Sequence, residues 1–374
     1  VTITGRLLRR VADVDAVVTE GALGFGTCTR DDRWALPDFT IQCPFPPGDD
    51  VVRIDVSARE EGRYLGRTIL ELDLPVRGTL SPHFEEVVTA GAAEPKAEDL
   101  VRAVNAVRFS GRLPPVDFES AQSQTSREVA PAFFSASRGV TDSGSADLVA
   151  MGLQAGYDVD SPIRFAYFGS FFVRRGPDAS ALVRRAARRP WIRQLFLDPE
   201  VDRLAIGVLA DPGAQTVGII ATAYVGPPAL SRDELRAEVY DRLVQARAFR
   251  DRPPPNRVTF GHRPEEVQGW LDELEAGQAS VDWVAHSLLT RATSHNRGRR
   301  FRGYTLETSR LEDLEFPDAV LDAEALQIEL EVALFQPRGE PWVRYVILMV
   351  FPSAGVVAQS GAEPRPAAFR LAQR

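Results

Sequence analysis

LVRAVNAVRFSGRLPPVDF, residues 100–118, contains a helical period and its own stop signal. Leu100, Val104 and Val107 recur at spacings of four and three, which puts them on one face of a helix with Asn105 and Arg108 beside it. Pro114-Pro115 forbids continuation, because proline has no N–H to donate and its ring clashes with the preceding turn. The stretch therefore reads as a helix, a proline turn and a strand-like exit. It marks the start of a domain, since the residues before it follow another rhythm.

Residues 1–80 alternate apolar and polar in short runs, among them VTITGRLL, DFTIQCPF, VVRIDVSARE and RTILELDLPV, separated by Gly, Pro and Asp. Period two with frequent turn signals predicts an antiparallel, immunoglobulin-like β-sandwich, expected to act as a spacer or binding module. Cys28 and Cys43 are the only cysteines and fall on neighbouring predicted strands. A disulfide formed in an oxidising compartment and a pair of buried free thiols are both open. Residues 81–98 lose the alternation and read as a linker, with His83 standing alone in it as a solvated side chain.

From residue 99 the period becomes helical. A second helix is expected from Glu119 to Ser137, a third near Ala146 to Gln154, and an aromatic strand from Ile163 to Val173. Gly176-Pro177-Asp178 starts another helix, and Arg203–Ala210 with Gln215–Val225 form a closing hairpin, giving the order α-α-α-β-α-β-β.

The run VNAVRFSGRLPPVDF, the helix after Asp178, the segment RPWIRQLFLDPEVDRLAIGV (189–208) and the strand GIIATAYV resemble the CAP superfamily, the cysteine-rich secretory, venom-antigen and pathogenesis-related proteins. The resemblance covers about residues 97–225 and implies an α-β-α sandwich in a secreted, periplasmic or cell-surface protein. Metal-binding members use two His and two Glu around a cleft. Here Ile192 stands where the His-Arg segment carries its His, the strand 163–173 holds no carboxylate, and no histidine lies between His83 and His262. The resemblance implies the fold of this lobe without its metal site.

Residues 229–352 repeat the logic. Ser231 and Glu234 form a capping-box signature, and Arg247 precedes Pro253 by the interval that separates Arg108 from Pro114. Helices are expected from Pro264 and from Ser280, then the strand FRGYTLE, a turn led by Pro317 and a hairpin of LQIELEVALF and VRYVILMVF. The first hairpin strand alternates, so Gln327, Glu329 and Glu331 are expected to face solvent; the second is continuous and central. The reading is a second, divergent CAP-like α+β lobe from an internal duplication, with an unrelated α+β domain as the alternative. Residues 353–374 form a C-terminal tail.

Two groups could carry chemistry. His286, His295 and Glu307 are a possible divalent-metal set if the chain brings them together; the bland reading is one partly buried and one solvated histidine. Arg184, Arg185, Arg188, Arg189 and Arg193 would form a basic ridge if they lie on one helix, able to meet an anionic glycan, lipid headgroup or protein, or simply a solvated face. The formal net charge of -8 argues against nucleic acid. No apolar run is long enough to span a bilayer, and the start at Val1 leads to the expectation of a removed leader, with membrane association through a processed or modified N-terminus. The functional expectation is a non-catalytic binding or assembly protein without a cofactor, capable of self-association. The alternatives are a metal-dependent hydrolase using His286, His295 and Glu307, or a structural subunit of an extracellular assembly.

Overall fold

Alternation in the first 75 residues folds into two sheets that share one core. The strands are β1 (Thr2–Arg6), β2 (Val11–Glu20), β3 (Gly24–Thr27), β4 (Thr29–Arg30), β5 (Asp38–Gln42), β6 (Val51–Glu60) and β7 (Arg67–Pro75). They pair as β1-β5-β4 and β3-β2-β6-β7. Val14 and Val18 of β2, Phe39 and Ile41 of β5, and Ile54 and Val56 of β6 meet between the sheets. Cys28 and Cys43 lie in the same core and are joined as a disulfide across a sequence separation of 15.

The computed structural model describes residues 1–21, 23–31, 33, 35–44, 51–75, 95–140, 142, 144–175, 178–210, 215–324, 326–353 and 370–372. His83, most of the expected linker and most of the expected tail lie outside these residues. Contacts divide the chain into two units, one of residues 1–160 with 166–226, the other of 161–165 with 227–374.

The first unit joins the paired sheets to a lobe of α1 (Ala97–Ser110), β8 (Asp117–Phe118), α2 (Ser120–Ser137), α3 (Gly144–Ala155), β9 (Phe165–Arg174), α4 (Ala179–Ala186), α5 (Pro190–Leu197), β10 (Arg203–Ala210) and β11 (Thr216–Val225). The lobe's sheet runs β8-β10-β11-β9, with β8 parallel and β11 antiparallel to β10. Phe133 and Phe134 of α2 and Ala150 and Leu153 of α3 pack on Ile220 of β11. A Cβ at Gly207 of β10 would lie 2.5 Å from the Ser126 carbonyl carbon, so the backbone of α2 rests directly on that strand.

The second unit contains α6 (Arg232–Ala248), β12 (Asn256–Arg257), α7 (Pro264–Glu275), α8 (Val281–His295), β13 (Phe301–Thr308), a 3-10 turn at Leu311–Asp313, α9 (Asp318–Leu321), β14 (Gln327–Phe335), β15 (Arg344–Pro352) and β16 (Arg370–Ala372). Its sheet runs β12-β14-β15-β13-β16, again with a short strand parallel to the first strand of an antiparallel hairpin. On one face Ile328, Leu330 and Val332 pack with Leu235, Val239 and Leu243 of α6. On the other, Ala333, Val346 and Leu348 pack with Leu271 of α7 and Leu288 of α8.

That second helical layer corrects one expectation. Gln327 is exposed, but Glu329 and Glu331 are buried, 3% and 8% exposed. Alternation placed them correctly on the face opposite Ile328 and Leu330. It could not show that α7 and α8 cover that face, nor that His262 and Arg236 meet the two carboxylates there.

Candidate functional site

The opening motif acts on the chain itself. Asn105 donates through Nδ2 to the Val116 carbonyl at 2.9 Å and accepts the Val116 N–H at 2.8 Å, fixing the strand-like exit to α1. Arg108 is fully buried. Its Nε donates to Pro114 O at 2.7 Å, Nη1 to Phe196 O and Asp198 O, and Nη2 to Val201 O. One guanidinium thus donates to four carbonyls of two separate segments, matching its fork of donors to backbone acceptors. Burial pulls its pKa down, against the opposing pull of Asp198.

Arg247 does the same in the second unit. Also fully buried, it donates from Nε to Pro253 O at 2.9 Å, from Nη1 to Val320 O and Leu321 O, and from Nη2 to Ala323 O. The place of Asn105 is taken by Val244, and the Tyr240 hydroxyl donates instead to Pro255 O at 2.6 Å. Among the described residues the non-glycine residues with positive φ are Arg112 at 58° and Asp251 at 54°. Each follows its buried arginine by the same interval.

The metal candidates do not assemble. His286 and His295 both lie on α8; nine residues at 3.6 per turn set them two and a half turns, about 13 Å, apart and on opposite sides of the helix. Both are exposed; His286 meets Thr290, and Glu307 of β13 is paired with Arg344 at 3.3 Å. Among the described residues no three His, Cys, Asp or Glu side chains form a group able to hold a metal ion. Sequence spacing alone does not show that α8 runs on through His295, which is what fixes the half-turn offset between the two imidazoles.

Nor do the arginines make one ridge. Pro190 opens a new helix, so α4 ends at Ala186 and α5 starts at Pro190, breaking the face on which Arg184 and Arg188 would have aligned. Arg184 and Arg188 are exposed. The other three turn inward or across. Arg185 donates to Arg174 O and Arg175 O, Arg189 lies 3.8 Å from Glu71 of β7, and Arg193 donates to Gly21 O and Gly24 O at 2.9 and 3.0 Å. The segment Arg189 to Arg193 thus joins the lobe to the β2–β3 turn and to the outer face of the four-stranded sheet.

Between those contacts sits Asp55 of β6, 5% exposed. It accepts the backbone N–H of Trp191 at the start of α5, and burial together with neighbouring Glu71 pushes its pKa up to about 6 despite Arg189, the Trp191 N–H and Arg53. In VVRIDVSARE the alternation marks Asp55 as outward-facing, and no sequence signal tells that a helix covers it. The same joint is completed by Tyr64 Oη donating to Gln154 Oε1 at 2.6 Å, Leu65 N–H to Asp147 Oδ1 at 3.1 Å, and Arg63 paired with Asp147 at 2.6 Å.

A second buried polar group escaped the sequence reading. His262 Nδ1 lies 2.7 Å from Glu329 Oε1, both side chains essentially sealed; Nε2 is 3.0 Å from Leu288 O, and Glu329 Oε2 accepts the Phe260 N–H. The signal was present in the alternation, which puts Glu329 on an inward face as soon as a second helical layer exists. The pair is closed to solvent and joins the loop before α7 to β14.

Comparison with known proteins adds little. No family model matches the chain, and no curated protein matches it. Among solved structures it is similar to an extracellular protein containing a SCP domain from Bacillus anthracis str. Ames, at 10% identity and a TM-score of 0.25, over 54% of this chain and 67% of that one. At that TM-score the overlap decides nothing about this chain, whose architecture rests on the elements above: a mixed α/β chain with several sheets. No helix among the described residues is long and apolar enough to cross a membrane.

Proposed function

We propose that the chain is a secreted or cell-surface, non-catalytic binding or assembly protein, built from an immunoglobulin-like sheet domain and two CAP-like lobes that arose by duplication. The observation that carries the reading is the use of the Arg189 to Arg193 segment. Where the resembling family carries a metal-binding His, this chain has Ile192, fully buried, and the flanking Arg189, Trp191 and Arg193 dock the lobe onto the β-domain. Side chains committed in this way hold parts together. The Cys28–Cys43 disulfide supports an oxidising compartment, and the shared strand order and arginine clamp support the duplication.

The test has two arms. Purified protein is assayed on ester, phosphoester and peptide substrates with zinc, manganese or calcium, and its self-association and its retention on anionic glycan, lipid vesicles and cell-surface protein extracts are measured. Binding or assembly without turnover supports the reading. Metal-dependent turnover that is lost in His286→Ala or His295→Ala would establish the hydrolase instead.

A further inference from the structure

We propose that the joint between the β-domain and the first helical lobe is pH-responsive, tightened by protonation of Asp55 and loosened by its ionisation. The geometry is that of a buried carboxyl at an interface. One oxygen takes the Trp191 N–H, while Oδ2 is buried with no hydrogen-bond partner, so the charged form is left short of donors in a site closed to water.

On β6 itself Arg53 is near, but its guanidinium is engaged by Asp73 of β7 at 3.0 Å. Glu71 of β7, opposite Asp55 in the ladder, adds a like charge. From α5, Arg189 is the opposing cation, 3.8 Å from Glu71. On the other side β2 presents Val17. Burial is the main cause of the shift: with Arg53 engaged by Asp73 and Arg189 shared with Glu71, the nearby cations do not offset the loss of water around Asp55, in agreement with a folded pKa of about 6 against an ordinary 3.8.

The sign follows from linkage. A carboxyl whose pKa is higher in the closed joint than in the open one binds its proton more tightly when closed. The joint is therefore tightest below about pH 4, loosens as pH rises through the interval to about 6, and is constant above it. Across that interval the opening equilibrium changes by about a hundredfold.

The experiment is hydrogen exchange on the full chain between pH 4 and 8, each rate divided by its intrinsic value, followed for the peptide spanning Trp191 to Leu197 with β14–β15 as internal reference. Wild type is expected to lose protection in α5 up to about pH 6 and then level off, with the reference strands unchanged. Asp55→Asn keeps the acceptor for the Trp191 N–H and should hold α5 protected at every pH. Glu71→Gln should shift the transition to lower pH. Equal pH profiles for wild type and Asp55→Asn, or loss of protection that runs equally through β14–β15, would overturn the proposal. So would an α5 that becomes better protected as pH rises.

Discussion

Arg108 and Arg247 make the same hydrogen bond in two lobes: each is fully buried, and each gives its Nε–H to the carbonyl of a proline six positions on, Pro114 and Pro253. In both, the remaining donors go to the segment leading into the antiparallel hairpin. The clamp therefore closes the end of the first helix against the start of β10 or β14, joining the lobe's beginning to its end. A motif with this much backbone to satisfy needs a planar fork of donors, which arginine supplies at both places.

Truncating either clamp should be severe. Arg108→Ala and Arg247→Ala each remove a fully buried guanidinium and its hydrogen bonds to four carbonyls, and each is expected to cost its lobe roughly 3–5 kcal/mol, as for other disrupted buried charged networks. Lysine should not rescue either site, because a single ammonium cannot reach carbonyls arranged for a fork. Urea unfolding followed by hydrogen exchange should locate each loss in the lobe that carries the change.

The turn after each clamp makes an opposite prediction. Arg112 and Asp251 hold the left-handed conformation, which costs a residue with a Cβ about 1 kcal/mol and glycine almost nothing. Arg112→Gly is therefore expected to be neutral or stabilising by about 0.5 kcal/mol, where glycine in an ordinary loop position would destabilise. Thermal unfolding of Arg112→Gly and Asp251→Gly beside a glycine introduced at an exposed loop residue such as Ala229 would decide it.

Packing in the first lobe turns on Gly207. The ladders to β8 and β12 align Gly207 with Glu331, so the position that admits the α2 backbone in one lobe carries a buried carboxylate in the other. Gly207→Ala would put a methyl within 2.7 Å of Arg127 N and should cost about 1–3 kcal/mol through overpacking. A crystal structure of the variant should show α2 displaced from β10.

Much of this was legible in the sequence, and the rest was hidden for definite reasons. Periodicity and punctuation gave α1, α2, the capping box at Ser231 with Glu234, and the hairpin strands β10 with β11 and β14 with β15 to within a residue or two. The equal Arg-to-Pro intervals pointed to the arginine clamp that each unit contains. What failed was anything set by a layer far away in sequence. Asp55, Glu329 and Glu331 alternate like surface residues, and only α5, α7 and α8 make them interior. The basic ridge failed locally: Pro190 was available as a helix start, and reading it as one divides the arginines between two helices.

The disulfide should matter to the β-domain alone. Joining Cys28 to Cys43 closes a loop with a sequence separation of 15, which in the chain-entropy account stabilises by about 3 kcal/mol. Cys28→Ser with Cys43→Ser is expected to lose about that much in the sheets of residues 1–75 and nothing in the second unit. Hydrogen exchange of β5 and β6 compared with β14 and β15 would check the localisation.

The pair Arg236 and Glu331 allows a test in which pH and mutation must agree. Arg236 Nη1 donates to both Glu331 oxygens, at 3.2 and 3.0 Å, and also pairs with Asp233. Burial nonetheless holds the Glu331 pKa above its ordinary 4.5, with Arg236 the main opposing influence. A raised carboxyl pKa means stability that is complete below about pH 4.5 and declines as pH rises through the folded value. Arg236→Met removes the opposing cation, so the decline should grow and extend to higher pH, costing about 2–3 kcal/mol at neutrality, less than a wholly buried pair because a quarter of the Arg236 side chain is exposed. Adding Glu331→Gln should recover most of that loss and flatten the dependence. Denaturant unfolding of the two single variants, the double variant and wild type at pH 4 and 7.5 supplies the cycle; a coupling near zero at both pH values would mean that solvent, not Arg236, satisfies the carboxylate.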